Sequence, residues 1–148
     1  MGSKSLDEQK RAEVFAHGAL QRIGTDYLIN IKGEKTMNCL FCKIINGEIP
    51  SKKAFENENI FAFYDIAPQA PVHILVIPKE HIESVDGINA ENSKIVAEIF
   101  ENIPKIAKKA GIENGYRVIS NCGDDACQSV HHLHFHILGG AQLSYKMA

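Results

Sequence analysis

Residues 131–140 read HHLHFHILGG, placing four of the seven histidines within positions 131–136. On a strand, successive side chains point to opposite faces, so alternate residues share one. His132, His134 and His136 then point one way, while Leu133, Phe135 and Ile137 point the other way into a core. His131 falls on the apolar parity at the strand's edge and reads as a bystander. The stretch 130–138 is therefore expected to be the final strand, with imidazoles on one face and hydrocarbon on the other, closed by Gly139-Gly140.

Working outward, YRVIS (116–120) reads as a strand entered from the Asn114-Gly115 turn. Upstream of it, residues 90–110 form the long helix, because Val96, Ile99, Phe100, Ile103, Ile106 and Ala110 repeat at helical spacing. Asn89 is its expected N-cap, Gly111 its end, and Pro104 should kink or restart it. HILVIP (73–78) is a near-continuous apolar strand, and Lys53–Phe55 and Ile60–Tyr64 are two short strands around the turn 56–59. CLFCKII begins a short apolar helix closed by Asn46-Gly47. Several strands around one long helix, without regular βαβ alternation, give an α+β class with a mostly antiparallel sheet.

Residues 1–36 differ from the rest. Met-Gly-Ser is a common opening of recombinant chains, and Met37 directly precedes the first motif, so one reading is an extension ahead of a natural start near Met37. The other is a genuine N-terminal helix over Leu6–Ile23, with TDYLINI extended after it. The division is thus 1–36 as extension and 37–148 as the domain. At 148 residues and 45% hydrophobic content the chain is long enough for one domain with a core. A net charge of −2 with no basic block gives no nucleic-acid surface, and no apolar run approaches a membrane span. The N-terminus lacks a signal peptide's apolar core, so a cytoplasmic location with reduced Cys39, Cys42, Cys122 and Cys127 is expected.

Three explanations compete for the histidine face: a zinc site, a phosphate site with a nucleophilic imidazole, or a polar face without chemistry. Three imidazoles at strict alternation beside a Gly-Gly turn make the last the weakest. A neutral imidazole is nucleophilic near pH 7, and cationic neighbours would keep it so. Cys39-Leu40-Phe41-Cys42 is a lone C-x-x-C pair, which fits zinc, a redox dithiol, or two buried small side chains.

His132-Leu133-His134-Phe135-His136-Ile137-Leu138 resembles the His-φ-His-φ-His-φ-φ signature of the histidine triad superfamily. FCKIINGEIPSKKAFENENIFAFYDIAPQAPVHILVIPKEHI and GYRVISNCGDDACQSVHHLHFHILGGAQLS are similar to the two halves of its nucleotide-binding phosphoramidase branch, so the likeness runs from about Asn38 to Ser144. The resemblance implies a five-stranded antiparallel sheet with two helices per subunit, and a homodimer joined into a ten-stranded sheet. It implies a nucleoside 5′-phosphoramidate hydrolase in which His134 attacks the α-phosphorus and water then releases a purine nucleoside monophosphate, typically AMP. His136 and His73 would hydrogen-bond the non-bridging oxygens, and Ser129 would contact the phosphate or help protonate the leaving amine. Gln128, Ser129 and Val130 would supply the anion-facing loop, Asp65 would hold the ribose hydroxyls, and Asn121 would lie near sugar and phosphate. Leu40, Phe41, Ile44, Phe63, Ile66 and Leu75 resemble the base pocket, although each could equally be core. In bacterial-type members of the branch the C-x-x-C pair holds structural zinc, with ligands that fall here on Cys39, Cys42, His81 and His132. No catalytic metal is expected.

Two departures limit the transfer. Cys127 stands where close relatives carry glycine before the glutamine, so the loop is strained or reshaped if that position needs φ > 0. The sequence also ends at LSYKMA without the Trp-Pro-Pro tail, which leaves leaving-group preference open. Rival readings are a dinucleoside polyphosphate hydrolase of the same superfamily, and a nucleotide-binding or scaffold protein with little turnover.

Overall fold

The computed structural model describes residues 21–23, 27–29 and 35–147, in two units that divide between Asn38 and Cys39. In the first unit β1 (Gln21–Ile23), β2 (Tyr27–Ile29) and β3 (Lys35–Met37) form a three-stranded antiparallel sheet in that order. β1 takes up the last residues of the helix expected over Leu6–Ile23, and the rest of that segment lies outside the described residues. β2 falls within the stretch expected to be extended.

The second unit runs α1 (Leu40–Ile45), β4 (Lys53–Glu56), β5 (Ile60–Tyr64), β6 (Val72–Pro78), a 3₁₀ turn (Val85–Gly87), α2 (Lys94–Lys109), β7 (Tyr116–Ile119) and β8 (Phe135–Gly139). Its five strands make one antiparallel sheet in the order β4-β5-β6-β8-β7, which with the two helices is the expected α+β architecture. None of the described helices is long and apolar enough to cross a membrane.

Register decides what each sheet face does. Ile60, Ala62, Ile74, Val76, Phe135 and Ile137 share one face and pack with Ile99, Ile103, Ile106 and Ala107 of α2. Burying each such isoleucine is worth about 1.5–3 kcal/mol, so this face is the main source of stability. The opposite face carries Phe61, Phe63, His73, Leu75, Ile77 and His136, with Phe63 opposite Leu75 and Leu75 opposite His136. Both faces are covered, which is why 73–78 reads as an apolar run and not as an alternation. The β4–β5 turn is pinned to α2: Asn57 Nδ2 and Asn59 Nδ2 donate to the two Glu98 carboxylate oxygens at 2.9 and 3.0 Å.

Two boundaries differ from expectation, the starts of α2 and of β8, while the end of α2 falls where Gly111 was expected to place it. α2 begins at Lys94, because Asn89 Oδ1 accepts from the N–H groups of Glu91 and Asn92 and closes a separate turn. Pro104 lies inside the helix, which runs through it without restarting; the carbonyl that loses its donor belongs to Phe100, a residue 48% exposed. The helix ends at Ala110, with Gly111 at φ +76° and Ile112 N–H returning to Ala107 O at 2.9 Å. β8 begins at Phe135, not at residue 130: Leu133 N–H donates to Ile82 O at 2.6 Å and His132 N–H to Val130 O at 2.9 Å, so neither joins a strand ladder. Side-chain parity survives nonetheless, and Leu133, Phe135 and Ile137 all lie in the core.

Candidate active site and metal centre

His73, His134 and His136 gather on the sheet face away from α2, and hydrogen bonds fix which nitrogen of each of these rings, and of His132, carries the proton. A neutral imidazole has one donor and one acceptor nitrogen, so a partner that can only donate or only accept settles the choice. His134 Nδ1 lies 2.6 Å from His132 O, a pure acceptor. Nδ1 therefore bears the hydrogen, and Nε2 presents a bare lone pair. The His134 side chain is buried, with Phe41 edge-on at 5.2 Å and the His136 ring at 5.0 Å.

A second chain of bonds fixes His73 and His136. The main-chain N–H of Gln69 donates to His73 Nδ1 at 3.1 Å, so the proton of His73 sits on Nε2. That N–H donates to His136 Nδ1 at 2.8 Å, which places the His136 proton on its own Nε2. His136 Nε2 is buried without a partner, an N–H donor left over for a ligand. His73 therefore spends its Nε2–H on His136. The direct phosphate contact expected of it would need the nitrogen that His136 already occupies. Asp65 Oδ2 lies 3.7 Å from His73 Nε2, and Oδ1 accepts the Ala67 N–H at 2.8 Å. Donor atoms of Asp65, His73 and His136 lie within 4.8 Å of one another, as a ligand set would. The Gln69 N–H commits His73 Nε2 to a proton, however, so the wiring suits a relay. Burial pushes His134 and His73 below the ordinary imidazole value, Asp65 opposing it in both. Burial, then the neighbouring His134 and His73, brings His136 down to about 4. All three rings are accordingly neutral near pH 7.

His132 faces elsewhere. Its Nε2–H donates to Pro78 O at 2.8 Å, leaving Nδ1 bare towards Cys39 Sγ at 3.4 Å and Cys42 Sγ at 3.6 Å. His81 Nδ1 lies 3.4 Å from Cys42 Sγ, and the four donor atoms of Cys39, Cys42, His81 and His132 fall within 4.8 Å of one another. Two thiols and two imidazoles make a tetrahedral zinc donor set, and the Pro78 carbonyl fixes the tautomer of His132 as outer partners of metal-bound histidines do. Burial and the adjacent Cys39 push the Cys42 thiol up to about 12, so without a cation Cys42 is held as a protonated thiol. A dication favours the thiolates, and the residues fit one. The geometry arises locally: Cys39 is the N-cap of α1 through its sulfur, which accepts the Cys42 N–H at 3.5 Å and sets the pair one helical turn apart.

The remaining expected residues divide. Phe41 stacks edge-on to Phe63 at 5.4 Å; Ile44, one turn along α1, and Leu75 are buried, and Leu40 is half-buried. Together they form a second apolar layer on the histidine side of the sheet. Ile66 stands apart at 81% exposed. Ser129 is exposed and Asn121 half-buried, and among the described residues neither side chain makes a hydrogen bond. Gln128 is buried and works within the loop: Oε1 accepts from Gly123 N–H at 3.0 Å, and Nε2 donates to Glu83 O at 2.8 Å and Val130 O at 3.1 Å. Its main-chain N–H also bonds Gly123 O, at 3.1 Å, so Gln128 shapes its own loop and has no donor left over. Cys127 is at φ 56°, in the left-handed region, so of the two alternatives it is the strained backbone that the loop adopts. His131 is exposed, 3.8 Å from Glu83. Sequence reasoning missed Gln69, Pro78 and Glu83, which contribute main-chain atoms that any residue type carries.

Residues 38–147 match the family described as scavenger mRNA decapping enzyme C-term binding. A 13.2 kDa HIT-like protein in the hisE 3′ region of Azospirillum brasilense is 47% identical over 108 residues, 72% of this chain and 88% of that protein. A HIT-like protein of Chlamydia trachomatis is 47% identical over 107 residues, 72% of this chain and 96% of its own length. Among solved structures, a HIT family hydrolase from Clostridium thermocellum superposes with a TM-score of 0.73 at 50% identity, covering 75% of this chain and 97% of its own. A histidine triad protein from Clostridium difficile gives 0.72 at 49%, covering 76% and 99%.

Proposed function

The chain belongs to the histidine triad superfamily, and on that premise we propose that it is a hydrolase of nucleoside 5′-phosphoramidates working through His134. The observation that carries this reading is the pairing of a bare Nε2 on His134 with an unpartnered, buried Nε2–H on His136, the two rings 5.0 Å apart. A lone pair beside an N–H donor suits attack on a phosphorus whose non-bridging oxygen accepts the hydrogen bond.

His134 Nε2 attacks the α-phosphorus, the P–N bond breaks, and the amine leaves with a proton supplied from the side of Ser129. Water then attacks the nucleotidyl-histidine, returns a proton to the Ser129 side, and releases the nucleoside monophosphate with His134 restored. His136 holds a non-bridging oxygen, and His73 fixes the donor orientation of His136. Asp65 receives the ribose hydroxyls, Asn121 and the 128–130 loop flank the sugar and phosphate, and the Phe41 layer with Ile66 receives a purine. Structural zinc held by Cys39, Cys42, His81 and His132 would tie the start of α1 to the approach of β8. Reduced thiols in that set suit the cytoplasm. Two copies would pair as a homodimer through α2, where Phe100 is exposed against Phe135, and through the edge strand β7, giving a ten-stranded sheet.

The test is release of AMP from adenosine 5′-phosphoramidate by the parent and by His134→Ala, with a dinucleoside polyphosphate as competing substrate. AMP from the parent and none from the variant is expected. Faster turnover of the polyphosphate would favour the rival hydrolase. Nucleotide binding without turnover of either would make the protein a binder.

A further inference from the structure

We propose that Ser120 is a positioning residue for the nucleophile, its hydroxyl holding the main chain of His134 where the strand ladder has ended. This rests on the reading of His134 as the attacking residue. Ser120 Oγ–H donates to His134 O at 2.9 Å. The pairing of β7 with β8 stops at Ile119 opposite His136. With the His134 carbonyl turned towards β7, one further step of that ladder would set a main-chain N–H from residue 121 on it. Among the described residues no main-chain N–H reaches this carbonyl, and the Ser120 hydroxyl stands in its place.

Two parts of the site meet at this bond. His134 is only 2% exposed, so its carbonyl, stripped of a donor, has little access to water and must turn to find another partner. Turning it shifts the backbone from which the reacting ring hangs. Ser120 is also the last residue before the segment that carries Asn121 and Ser129, so one hydroxyl ties the departure of that segment to the nucleophile. The remaining restraints do not duplicate it. Leu133 N–H on Ile82 O fixes the preceding peptide, and His132 O holds the ring through Nδ1. Asp65 and Phe41, which take sugar and base on this reading, lie on other elements of the chain. Loss of the hydroxyl should therefore slow the reaction step and leave substrate affinity in place.

The experiment compares Ser120→Thr, Ser120→Val and Ser120→Ala with the parent. Threonine and valine have nearly one shape and differ in the hydroxyl. kcat and KM on adenosine 5′-phosphoramidate are measured beside the His134 Nδ1–H proton resonance in ¹⁵N-histidine protein, with far-UV circular dichroism and urea midpoints reporting the fold. A ring N–H donating over 2.6 Å resonates far downfield, and lengthening that bond moves it upfield. In the valine and alanine variants kcat should fall about 10-fold, short of the roughly 10²-fold that a misplacement of about 1 Å can cost. KM should stay within about twofold, and the Nδ1–H proton should move upfield. Ser120→Thr should keep the parent's kcat and resonance. A lower urea midpoint with the parent's kcat in Ser120→Val overturns the proposal, because the serine would then only brace the strand end. A threonine variant as slow as the valine one also overturns it, since shape and not the hydroxyl would matter. A parent inert on phosphoramidates would defeat the proposed activity and leave the Nδ1–H proton to decide this link: unmoved in Ser120→Val, it overturns the link; moved there and restored in Ser120→Thr, it upholds it.

Discussion

Replacing His136 by glutamine should flatten the acid sensitivity of the fold. In the native state burial and its two histidine neighbours bring His136 to about 4, against an ordinary 6.5. A cationic group disfavoured by folding binds its proton more readily in the unfolded chain. The stability owed to neutral His136 is therefore complete above pH 6.5 and is lost as the pH falls from there towards 4. One proton is linked to about 1.4 kcal/mol per pH unit, which between pH 7 and pH 5 integrates to about 2 kcal/mol. The ring is half-buried, and solvent screening trims this to about 1 kcal/mol. Glutamine has no titration in this range, so His136→Gln should lose about 1 kcal/mol less than the parent over the same interval. Urea unfolding at both pH values reads the difference, by far-UV circular dichroism because the chain has no tryptophan. Zinc-loaded samples of both proteins keep the response of the Cys/His cluster common to each. Equal losses in parent and variant would refute the reasoning.

Two further changes test the loop before the triad. Cys127→Gly should raise stability by about 1 kcal/mol, since the left-handed conformation at φ 56° penalises any side chain but suits glycine; an unchanged urea midpoint would show that the loop carries no such strain. Gln128→Ala removes a buried clip of three side-chain hydrogen bonds and strands the Gly123 N–H, and should cost about 1–3 kcal/mol; a midpoint within experimental error of the parent would contradict that role.

The fold was legible where a periodicity had one physical meaning. The alternation over 132–137 correctly separates Leu133, Phe135 and Ile137 from the histidines, even though pairing begins only at Phe135. Where β8 begins depends on whether a neighbouring strand is there to pair, and local sequence does not contain that. Asn89 misplaces the start of α2 because a side chain closing a turn and one capping a helix use the same atoms in the same way. In the site, the family pattern picked out four residues that lie together and could hold a metal ion, and flagged the Cys127 position, which is at φ 56°. It could not tell which nitrogen of His73 is occupied, since that depends on the main-chain N–H of Gln69. The work of Gln128 within its loop was hidden for the same reason: two of its three partners are main-chain carbonyls.

The atoms that orient the triad on either side, Gln69 N and His132 O, belong to the peptide backbone. A side-chain substitution at Gln69 leaves its N–H in place unless the new residue is proline, and any residue at 132 still supplies a carbonyl. Point mutation can remove the reacting imidazoles but has almost no direct route to the groups that aim them. The orientation is therefore tolerant of sequence drift in the 65–69 loop and intolerant of changes in its length, because an inserted or deleted residue would move the Gln69 N–H off His73. Families diverging from such a chain would vary these loop side chains while keeping the residue count between Asp65 and His73.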